Sequence, residues 1–379
     1  MLLADGTFRE CDVTVEDGLI AAVLPAAPAA LGTRDVDARG LTVLPGLVDL
    51  HTHGIREVLA LEGDLAEYAR IEAEYGVTRF CATLFGPPER LERSMKRHRA
   101  ETGELRLTPQ VAGFRLESPY LAKAGGGVPQ DITRITAETT ERLTEAGGGH
   151  IRIWDVSPDL PGAPELVRLL TARGIVTSIA HTRASIGQAR SVVDAGTRLV
   201  THLFDTFDLP DYPEPGVYPE GLVDYILVED RLTAEIIADG THVKPLLVQK
   251  ALRCKGADGI SFITDSNVGA GLPPGRRALP GSGVLVEIRG PNDGVRLVER
   301  NGELSGSALT QLDALRNAVR LFGRDLATAS RLCSTTPARL LALNAGEISV
   351  GRDADLILLD KDLKLRRTIA RGNTAWSAT

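Results

Sequence analysis

Eight short apolar runs rich in β-branched residues, separated by segments of helical period, constrain the fold of this chain more than any other feature. They occur at residues 41–54, 76–85, 110–118, 150–158, 175–181, 198–204, 232–240 and 260–266. Strands that alternate with helices are typical of a parallel sheet built from βα units. Eight such units predict an α/β fold of the TIM barrel type, (β/α)8, and 379 residues are enough to form it.

The segments between the runs support this interpretation. The stretches APELVRLLTARG, SIGQARSVVDAG and VKPLLVQKALRCKG place apolar residues three or four positions apart and end in glycine, which closes a helix most easily. The proline-rich stretch DTFDLPDYPEPGVYPEG, residues 205–221, instead predicts a long loop before the next helix. Long loops in this position often close over a substrate.

The two ends of the chain differ from the middle, because both are strand-like with polar turns. Residues 11–24 alternate in polarity around a turn at Asp17-Gly18, and residues 347–377 have the same character. Each end is too short to fold alone. We therefore expect residues 1–43 and 345–379 to form one small β-sandwich domain beside a barrel of residues 44–344. A further hairpin, residues 284–302, is expected in the loop after the eighth strand.

Charge and cysteine usage limit the possible partners. Lys and Arg number 43 against 50 Asp and Glu, so no basic surface indicates nucleic acid or an anionic membrane. Four widely spaced cysteines without a CxxC pair indicate reduced thiols in a cytosolic protein. The first residues lack the apolar core of a signal peptide, and no segment approaches the ~18–20 apolar residues of a membrane span. We expect a cytoplasmic protein with a small-molecule partner.

Residues with metal-binding chemistry lie at the carboxyl ends of the predicted strands, where TIM barrels carry their sites. Strand by strand they are His51 and His53 at the end of the first, Glu117 at the end of the third, His181 at the end of the fifth, His202 within the sixth, His242 shortly after the seventh and Asp265 at the end of the eighth. Histidine and carboxylate are the usual ligands of zinc and related ions. A lone His-x-His pair is as readily structural, but five of the seven histidines at one rim favour a metal site.

The other two histidines, and Asp265, have different interpretations. His98 lies in the charged run KRHR and is expected on a solvated helix face, whereas His150 opens the fourth strand at the opposite end of the barrel. Asp265 can accept a proton from water and then deliver it to a leaving nitrogen. The alternative for Asp265 is a helix N-cap in the sequence TDSN.

The motifs around these residues resemble the amidohydrolase superfamily and, within it, the N-acetylglucosamine-6-phosphate deacetylases. PGLVDLHTHG is similar to the first-strand motif of the superfamily, and RLESPYL resembles the deacetylase segment HLEGP. SIAHTRAS resembles GHSNA, THLFDTF resembles THLYNAM, IADGTHV resembles IADGxHV, and TDSNVGAG resembles TDAxxxAG. The resemblance covers nearly the whole chain.

The resemblance implies hydrolysis of the N-acetyl amide of an amino sugar, giving an amine and acetate. It implies that Glu117, His181 and His202 hold a principal divalent metal and that His51 and His53 hold a second ion in relatives that bind two. Asp265, beside the metal, would be the general base and then the general acid, and His242 would contact substrate. The expected metal is zinc, with iron or manganese as alternatives, and a homodimer is expected.

Some positions depart from the family pattern. The asparagine and alanine of THLYNAM, and an arginine before EPG, help to bind phosphate in relatives; Asp205, Thr206 and Pro213 stand there in this chain. An anionic Asp205 would repel a phosphate. The chain offers Arg183 and Arg115, which the pattern lacks, either to bind an anion or to pair with nearby carboxylates.

Two alternative functions stay open at this point. The metal site can serve another N-acyl or cyclic amide substrate, although the sequence WDVSP gives no lysine at the end of the fourth strand, where ring-opening relatives often carry one. A non-catalytic sugar-binding relative is the other alternative. The retention of every metal ligand and of Asp265 in one chain argues against it.

Overall fold

The structure is a computed structural model that describes residues 1–27, 32, 35–107, 110–208, 215–280 and 283–378. At its centre lies a parallel sheet of eight strands, in which each strand pairs with the next along the chain. The barrel strands are Leu47–Thr52, Val77–Leu84, Gln110–Leu116, Ile151–Val156, Val176–Ile179, Leu199–Val200, Thr233–Ile237 and Ile260–Ile263. A parallel bridge from Thr52 to Ser266 joins the two edges, so the sheet is a nearly closed barrel. The predicted TIM barrel is confirmed.

The first predicted run divides at Gly46 into two strands. Thr42–Pro45 pairs antiparallel with Leu356–Leu359, whereas Leu47–Thr52 enters the barrel. A Cβ at Gly46 would lie 2.3 Å from the Oγ1 of Thr78. Glycine is therefore required where the chain passes from one sheet to the other, because any side chain would collide with the second barrel strand.

Helices cover the outside of the barrel. They are Leu65–Ala73, Pro88–Glu101, Ala137–Gly147, Ala163–Ala172, Ile186–Ala195, Leu222–Val228, Pro245–Lys255, Gln311–Arg320, Leu326–Ser330 and Thr336–Leu340, with a π-helical turn at Arg331–Thr335. The three helices predicted from spacing and terminal glycine are among them. The proline-rich segment leads directly into the helix that begins at Leu222, as expected, although its residues 209–214 lie outside the described part. Among the described residues, no helix has the length and apolar character to cross a membrane.

Two layers of apolar side chains hold the barrel. Trp154 belongs to the large core between strands and helices, and its neighbour Ile153 belongs to a second cluster with Leu50, Ile237 and Ile263. Adjacent residues on a strand point to opposite faces, so the second cluster fills the barrel interior. Each fully buried large side chain contributes ~1.5–3 kcal/mol. The strand ends that carry the polar residues are therefore mounted on a rigid frame.

The two ends of the chain form antiparallel sheets that share a small core. Cys11–Glu16 and Leu19–Pro25 form a hairpin around Asp17-Gly18, and Thr42–Pro45 joins a four-stranded sheet with Leu356–Leu359, Leu365–Ala370 and Asn373–Ser377. The shared core contains Ile20, Val43, Ile348, Ala354, Leu356, Leu358 and Ile369. The small β domain built from both termini is confirmed, and its boundaries at 43/44 and 344/345 stay a prediction.

The hairpin expected after the eighth barrel strand is part of a larger element. A four-stranded antiparallel sheet contains Gly275–Ala278, Leu285–Ile288, Val295–Leu297 and Glu303–Leu304. Its base is tied to the barrel, because the amide of Ser307 donates to the carbonyl of Asp265 at 2.7 Å. The sheet therefore stands over the carboxyl end of the eighth strand.

The prediction of a solvated His98 is wrong. His98 is fully buried, and its Nε2 lies 2.7 Å from the carbonyl oxygen of Ala60. The buried residues of this helix are Leu91, Ser94, Met95 and His98, a helical stripe that the charged neighbours in KRHR conceal. His150 lies before the fourth strand, as predicted, and pairs with Glu104 at 3.0 Å. All four cysteines are free.

Candidate metal centre and active site

The predicted metal ligands converge at the carboxyl end of the barrel. His51 lies in the first strand, and Glu117 directly follows the third. His181, His202 and Asp265 each lie two residues beyond the end of their strand. The placement of His202 within the sixth strand is therefore wrong, because that strand ends at position 200 and the histidine lies in the turn that follows.

Glu117 is the centre of the cluster, because its two carboxylate oxygens face two different histidine pairs. Oε2 lies 2.9 Å from Nε2 of His53 and 3.4 Å from Nε2 of His51. Oε1 lies 3.1 Å from Nε2 of His181 and 3.3 Å from Nε2 of His202. Within each pair the two Nε2 atoms are 3.1 and 3.2 Å apart. One carboxylate thus joins two sets of three potential ligands.

This donor set fits a pair of divalent metal ions. Four ligands at ~2.0–2.1 Å from a tetrahedral ion lie ~3.3 Å from one another, and the nitrogen and oxygen atoms around Glu117 are 2.9–3.4 Å apart. Four of the five side chains are buried, and His53 is 16% exposed. Imidazole and carboxylate ligands suit zinc, iron and manganese better than calcium, which prefers oxygen alone.

Electrostatics favour positive charge between these side chains. Burial lowers the pKa of His53 and His202, but the nearby carboxylates, Glu117 foremost and Asp265 with it, more than compensate, so each pKa is raised to about 10. Conversely, burial raises the pKa of Glu117, yet the histidines hold it well below its usual range. The carboxylate of Glu117 is therefore ionised, and its negative charge favours positive charge, whether on the rings or on a bound ion, between the two histidine pairs.

Asp265 stands beside the first histidine pair. Its Oδ1 lies 3.3 Å from Nε2 of both His51 and His53. Burial raises the pKa of Asp265, but the adjacent His51 and His53 lower it to about 2. The carboxylate is thus ionised at neutral pH and able to accept a proton. The alternative of a helix N-cap is disfavoured, because no helix in the described part of the chain begins directly after Asp265.

The backbone holds several of these residues in the left-handed region. φ is 44° at His181, 27° at His202 and 48° at Asp265. Such conformations cost a non-glycine residue ~1–2 kcal/mol each, and they persist only where the surroundings enforce them. The strand ends therefore direct these side chains towards a common centre at the expense of local stability.

Two of the histidines have their second ring nitrogen fixed by a protein acceptor. Nδ1 of His181 lies 3.1 Å from the carbonyl oxygen of Lys123, which leaves Nε2 free to bind a metal. Nδ1 of His242 lies 2.6 Å from Oδ2 of Asp239. Burial lowers the pKa of His242, but the bond to Asp239 outweighs it and the pKa is raised. His242 can therefore donate from Nε2.

The residues expected to bind substrate lie at the rim. Arg183 is 67% exposed and its Nε is 3.7 Å from Asp208, so it points towards solvent. Asp205 is half-buried. Burial lowers the pKa of His202 and of His242, and the negative charge of Asp205 is among the interactions that raise both pKa values again. The carbonyl of Thr206 accepts from Lys123 at 3.3 Å. Pro213 lies outside the described residues.

Arg115 does not bind an anion from outside, because it is fully buried inside the barrel. It pairs with Asp155 at 3.1 Å and with Glu235 at 2.6 Å. The interpretation of Arg115 as a partner of nearby carboxylates is thus confirmed. The fourth strand ends near Asp155 in WDVSP, without a lysine.

Sequence reasoning missed several supporting residues, although each left a signal. The triple glycine in AKAGGGV marks a close approach: a Cβ at Gly125 would lie 2.6 Å from Cε1 of His181. Asp239 precedes His242 by three residues, a spacing that places the two side chains together. Glu235 is a charge within the apolar run LTAEII, which indicates a buried partner.

Comparisons with known proteins agree with this geometry. A sequence model of the amidohydrolase family matches residues 131–377, more than half of the chain. N-acetylglucosamine-6-phosphate deacetylase of Lysinibacillus sphaericus is 30% identical over 97% of this chain and 94% of its own. The chain belongs to the amidohydrolase family. N-acetylgalactosamine-6-phosphate deacetylase of Escherichia coli O157:H7 is 28% identical over 99% of this chain and 97% of that relative.

A solved amidohydrolase structure has the same architecture. N-acetyl-D-glucosamine-6-phosphate deacetylase from Mycobacterium smegmatis, crystallised with N-acetyl-D-glucosamine 6-phosphate, superposes with a TM-score of 0.86 at 27% identity. The match covers 96% of this chain and 94% of the other. The barrel and the small β domain are thus shared along nearly the whole length of both proteins.

Proposed function

We propose that this amidohydrolase is a metal-dependent deacetylase that hydrolyses the N-acetyl amide of an amino sugar. The observation that carries the proposal is the arrangement around Glu117, whose two oxygens each face a histidine pair, with Asp265 beside one pair. The named activities of the relatives from Lysinibacillus and Escherichia coli support the choice of an N-acetylated sugar.

The side chains have separable roles in this reaction. Glu117, His181 and His202 would hold one divalent ion, and His51 and His53 the other. An ion held there supplies a Lewis acid for the amide carbonyl and acidifies water. Asp265, ionised and 3.3 Å from the first histidine pair, accepts the proton of the attacking water and delivers it to the sugar nitrogen.

His242 would act on the carbonyl oxygen of the substrate. Asp239 accepts from Nδ1 and fixes the ring, so Nε2 is left to donate to the oxygen as negative charge develops on it. The raised pKa supports this role, because the ring keeps both protons over a wider pH range.

Zinc is the expected metal, with iron or manganese as alternatives, and two ions per chain fit the two sets of ligands. Elemental analysis of the purified protein tests both identity and number. About two equivalents of a transition ion support the proposal, and a metal-free protein that is fully active contradicts it.

The rim of the site decides whether a phosphate on the sugar is recognised. The negative charge of Asp205 disfavours a phosphate there, and both Lys123 and Arg183 are paired with Asp208. We therefore expect a weaker preference for phosphate than the family motif implies. Arg183, Thr206, Asp205 and His242 are the proposed substrate contacts.

An assay of acetate release tests the function. N-acetylglucosamine, N-acetylgalactosamine and their 6-phosphates are compared side by side, together with an N-acyl amino acid and a cyclic amide. Release of acetate from an amino sugar supports the proposal, and the ratio of kcat/KM with and without phosphate measures the role of the rim. Hydrolysis of the amino acid or cyclic amide alone would refute it.

A homodimer and a cytoplasmic location remain predictions. The four free cysteines suit a reducing compartment. Sedimentation analysis of the purified enzyme tests the dimer.

A further inference from the structure

A buried ion cluster lies inside the barrel next to the metal ligands, and its centre is Arg115. The guanidinium is fully buried and all five of its N–H groups have acceptors. Nε and one terminal nitrogen donate to Asp155 at 3.3 and 3.1 Å, and the other donations reach Glu235 at 2.6 Å, the carbonyl of Leu50 at 3.2 Å and Thr201 at 2.9 Å. Three of these acceptors come from other barrel strands and Thr201 directly follows the sixth strand, so the cluster links five of the eight barrel units.

Glu235 lies between Arg115 and the metal centre. Its Oε1 accepts from Arg115, while its Oε2 lies 3.6 Å from Nδ1 of His51. Among the described residues, no hydrogen bond satisfies either of these two buried atoms, Oε2 and Nδ1. The opposite nitrogen of the same ring, Nε2, faces Glu117 and Asp265. The imidazole of His51 is thus placed between a buried carboxylate and the predicted metal.

A histidine that binds a metal commonly donates its other N–H to a carboxylate or a carbonyl, which fixes the tautomer and the ring orientation. His181 has such an acceptor in the carbonyl of Lys123, outside the barrel interior. For His51, the carboxylate of Glu235 is the acceptor that faces Nδ1. His181 and His51 therefore depend on different parts of the protein.

We propose that Glu235, held by Arg115, is a positioning residue that orients His51 for the metal ion shared with His53. The proposal rests on the metal-dependent function proposed above. Two carboxylates share one guanidinium in the cluster, so its net charge of −1 also favours a cation on the far side of His51. Loss of Glu235 would remove this support without altering the ligands of the other ion.

Glu235→Gln gives the sharpest test. The glutamine can keep its oxygen on Arg115, but its amide N–H2 would then face Nδ1 of His51 and favour the tautomer that carries a proton on Nε2. That proton blocks coordination. Stepwise removal of metal by a chelator, followed by elemental analysis and by the visible absorption of the cobalt-substituted enzyme, should show one ion bound at least tenfold more weakly and the other unchanged.

Asp155→Asn is the matched control: it removes the same charge beside Arg115, and among the described residues Asp155 has no hydrogen bond or ion pair to His51. It should keep both ions. Equal weakening in the two variants, or two ions of unchanged affinity in Glu235→Gln, would overturn the proposal. If Glu235→Gln does not fold, Glu235→Asp withdraws the carboxylate from His51 and should weaken the same ion, and unchanged affinity there would also overturn it.

The same measurements separate this proposal from the proposed function. A wild-type protein that binds no ion at the His51 and His53 pair overturns the role of Glu235, because no ion remains for it to support. A wild-type protein with two ions and no release of acetate from any amino sugar refutes the deacetylase activity, while the comparison of Glu235→Gln with Asp155→Asn still decides the role of Glu235.

Discussion

Replacement of Asp265 by asparagine should abolish most of the activity and leave the fold intact. Asparagine tolerates the φ of 48° at this position as well as aspartate does. The backbone bonds that hold the residue, from its amide to His51 and from Ser307 to its carbonyl, involve no side chain. The substitution therefore removes the proton acceptor and little else from the local structure.

The size of the effect follows from the role of the carboxylate. Loss of a positioned general acid and base typically lowers the rate 10²–10⁴-fold, which corresponds to ~3–5 kcal/mol of transition-state free energy. Asp265 is ionised at neutral pH, with a pKa lowered to about 2, since its histidine neighbours outweigh the opposing effect of burial. The neutral amide cannot take up that proton, so the loss should appear in kcat.

The assay is acetate release under saturating substrate, with metal content measured on the same sample. Asp208→Asn is the control, because it removes a carboxylate from the exposed rim, 54% accessible, without touching the histidine pairs. It should change kcat less than about threefold. A fall of less than tenfold in Asp265→Asn at full metal occupancy would refute the assignment of Asp265 as base and acid.

Three further predictions test the metal centre and the fold. Removal of metal by a chelator should abolish acetate release and lower the melting temperature, because an ion at 100 times its Kd stabilises the folded state by ~2.7 kcal/mol. Added zinc should restore the activity and the melting temperature. A fully active chelated enzyme would contradict the metal site. Gly125→Ala should displace His181 and weaken metal binding. The control is Gly103→Ala, which has the same φ of 57° but no atom within 4 Å of the added Cβ, so it should cost backbone strain alone. Equal loss of metal in both variants would exclude the steric cause. Burial lowers the pKa of His98 to about 4, so the neutral ring stabilises the fold fully above pH 6.5, and roughly 3 kcal/mol of the unfolding free energy is lost as the pH falls towards 4. In His98→Gln, the unfolding free energy measured with urea should depend less on pH over this range. An unchanged pH dependence would contradict a buried neutral histidine.

The order of the barrel strands could be predicted from the sequence, because β-branched runs separated by helical segments have few other solutions. The division of the first apolar run at Gly46 could not be predicted from the sequence. It depends on pairing between Thr42–Pro45 and Leu356–Leu359, more than 300 positions away, and on the lack of space beside Thr78. Long-range pairing leaves no local signal beyond the glycine itself.

The sequence predicts the candidate site where residues able to bind metal lie at the carboxyl ends of the predicted strands. Histidines and carboxylates at strand ends have few reasons to gather there other than a ligand, and the barrel brings those ends together. His98 was mispredicted for the converse reason, since its charged neighbours in the sequence face water while the ring turns inward. Charge in the sequence around a residue does not determine the direction of its side chain on a helix.

His181 and His51, one from each histidine pair, both face Glu117 but differ in what supports their rings, and this difference bears on how a metal centre would assemble. His181 is oriented by the carbonyl of Lys123, which lies in a glycine-rich loop at the surface, whereas His51 faces a carboxylate fixed inside the barrel. Loops open more readily than barrel interiors. Changes in the loop should therefore affect the ion of His181 first, and changes in the buried cluster the ion of His51. If two ions bind, one beside each histidine pair, separate sensitivities would show that Glu117, which faces both pairs, transmits changes between them only weakly.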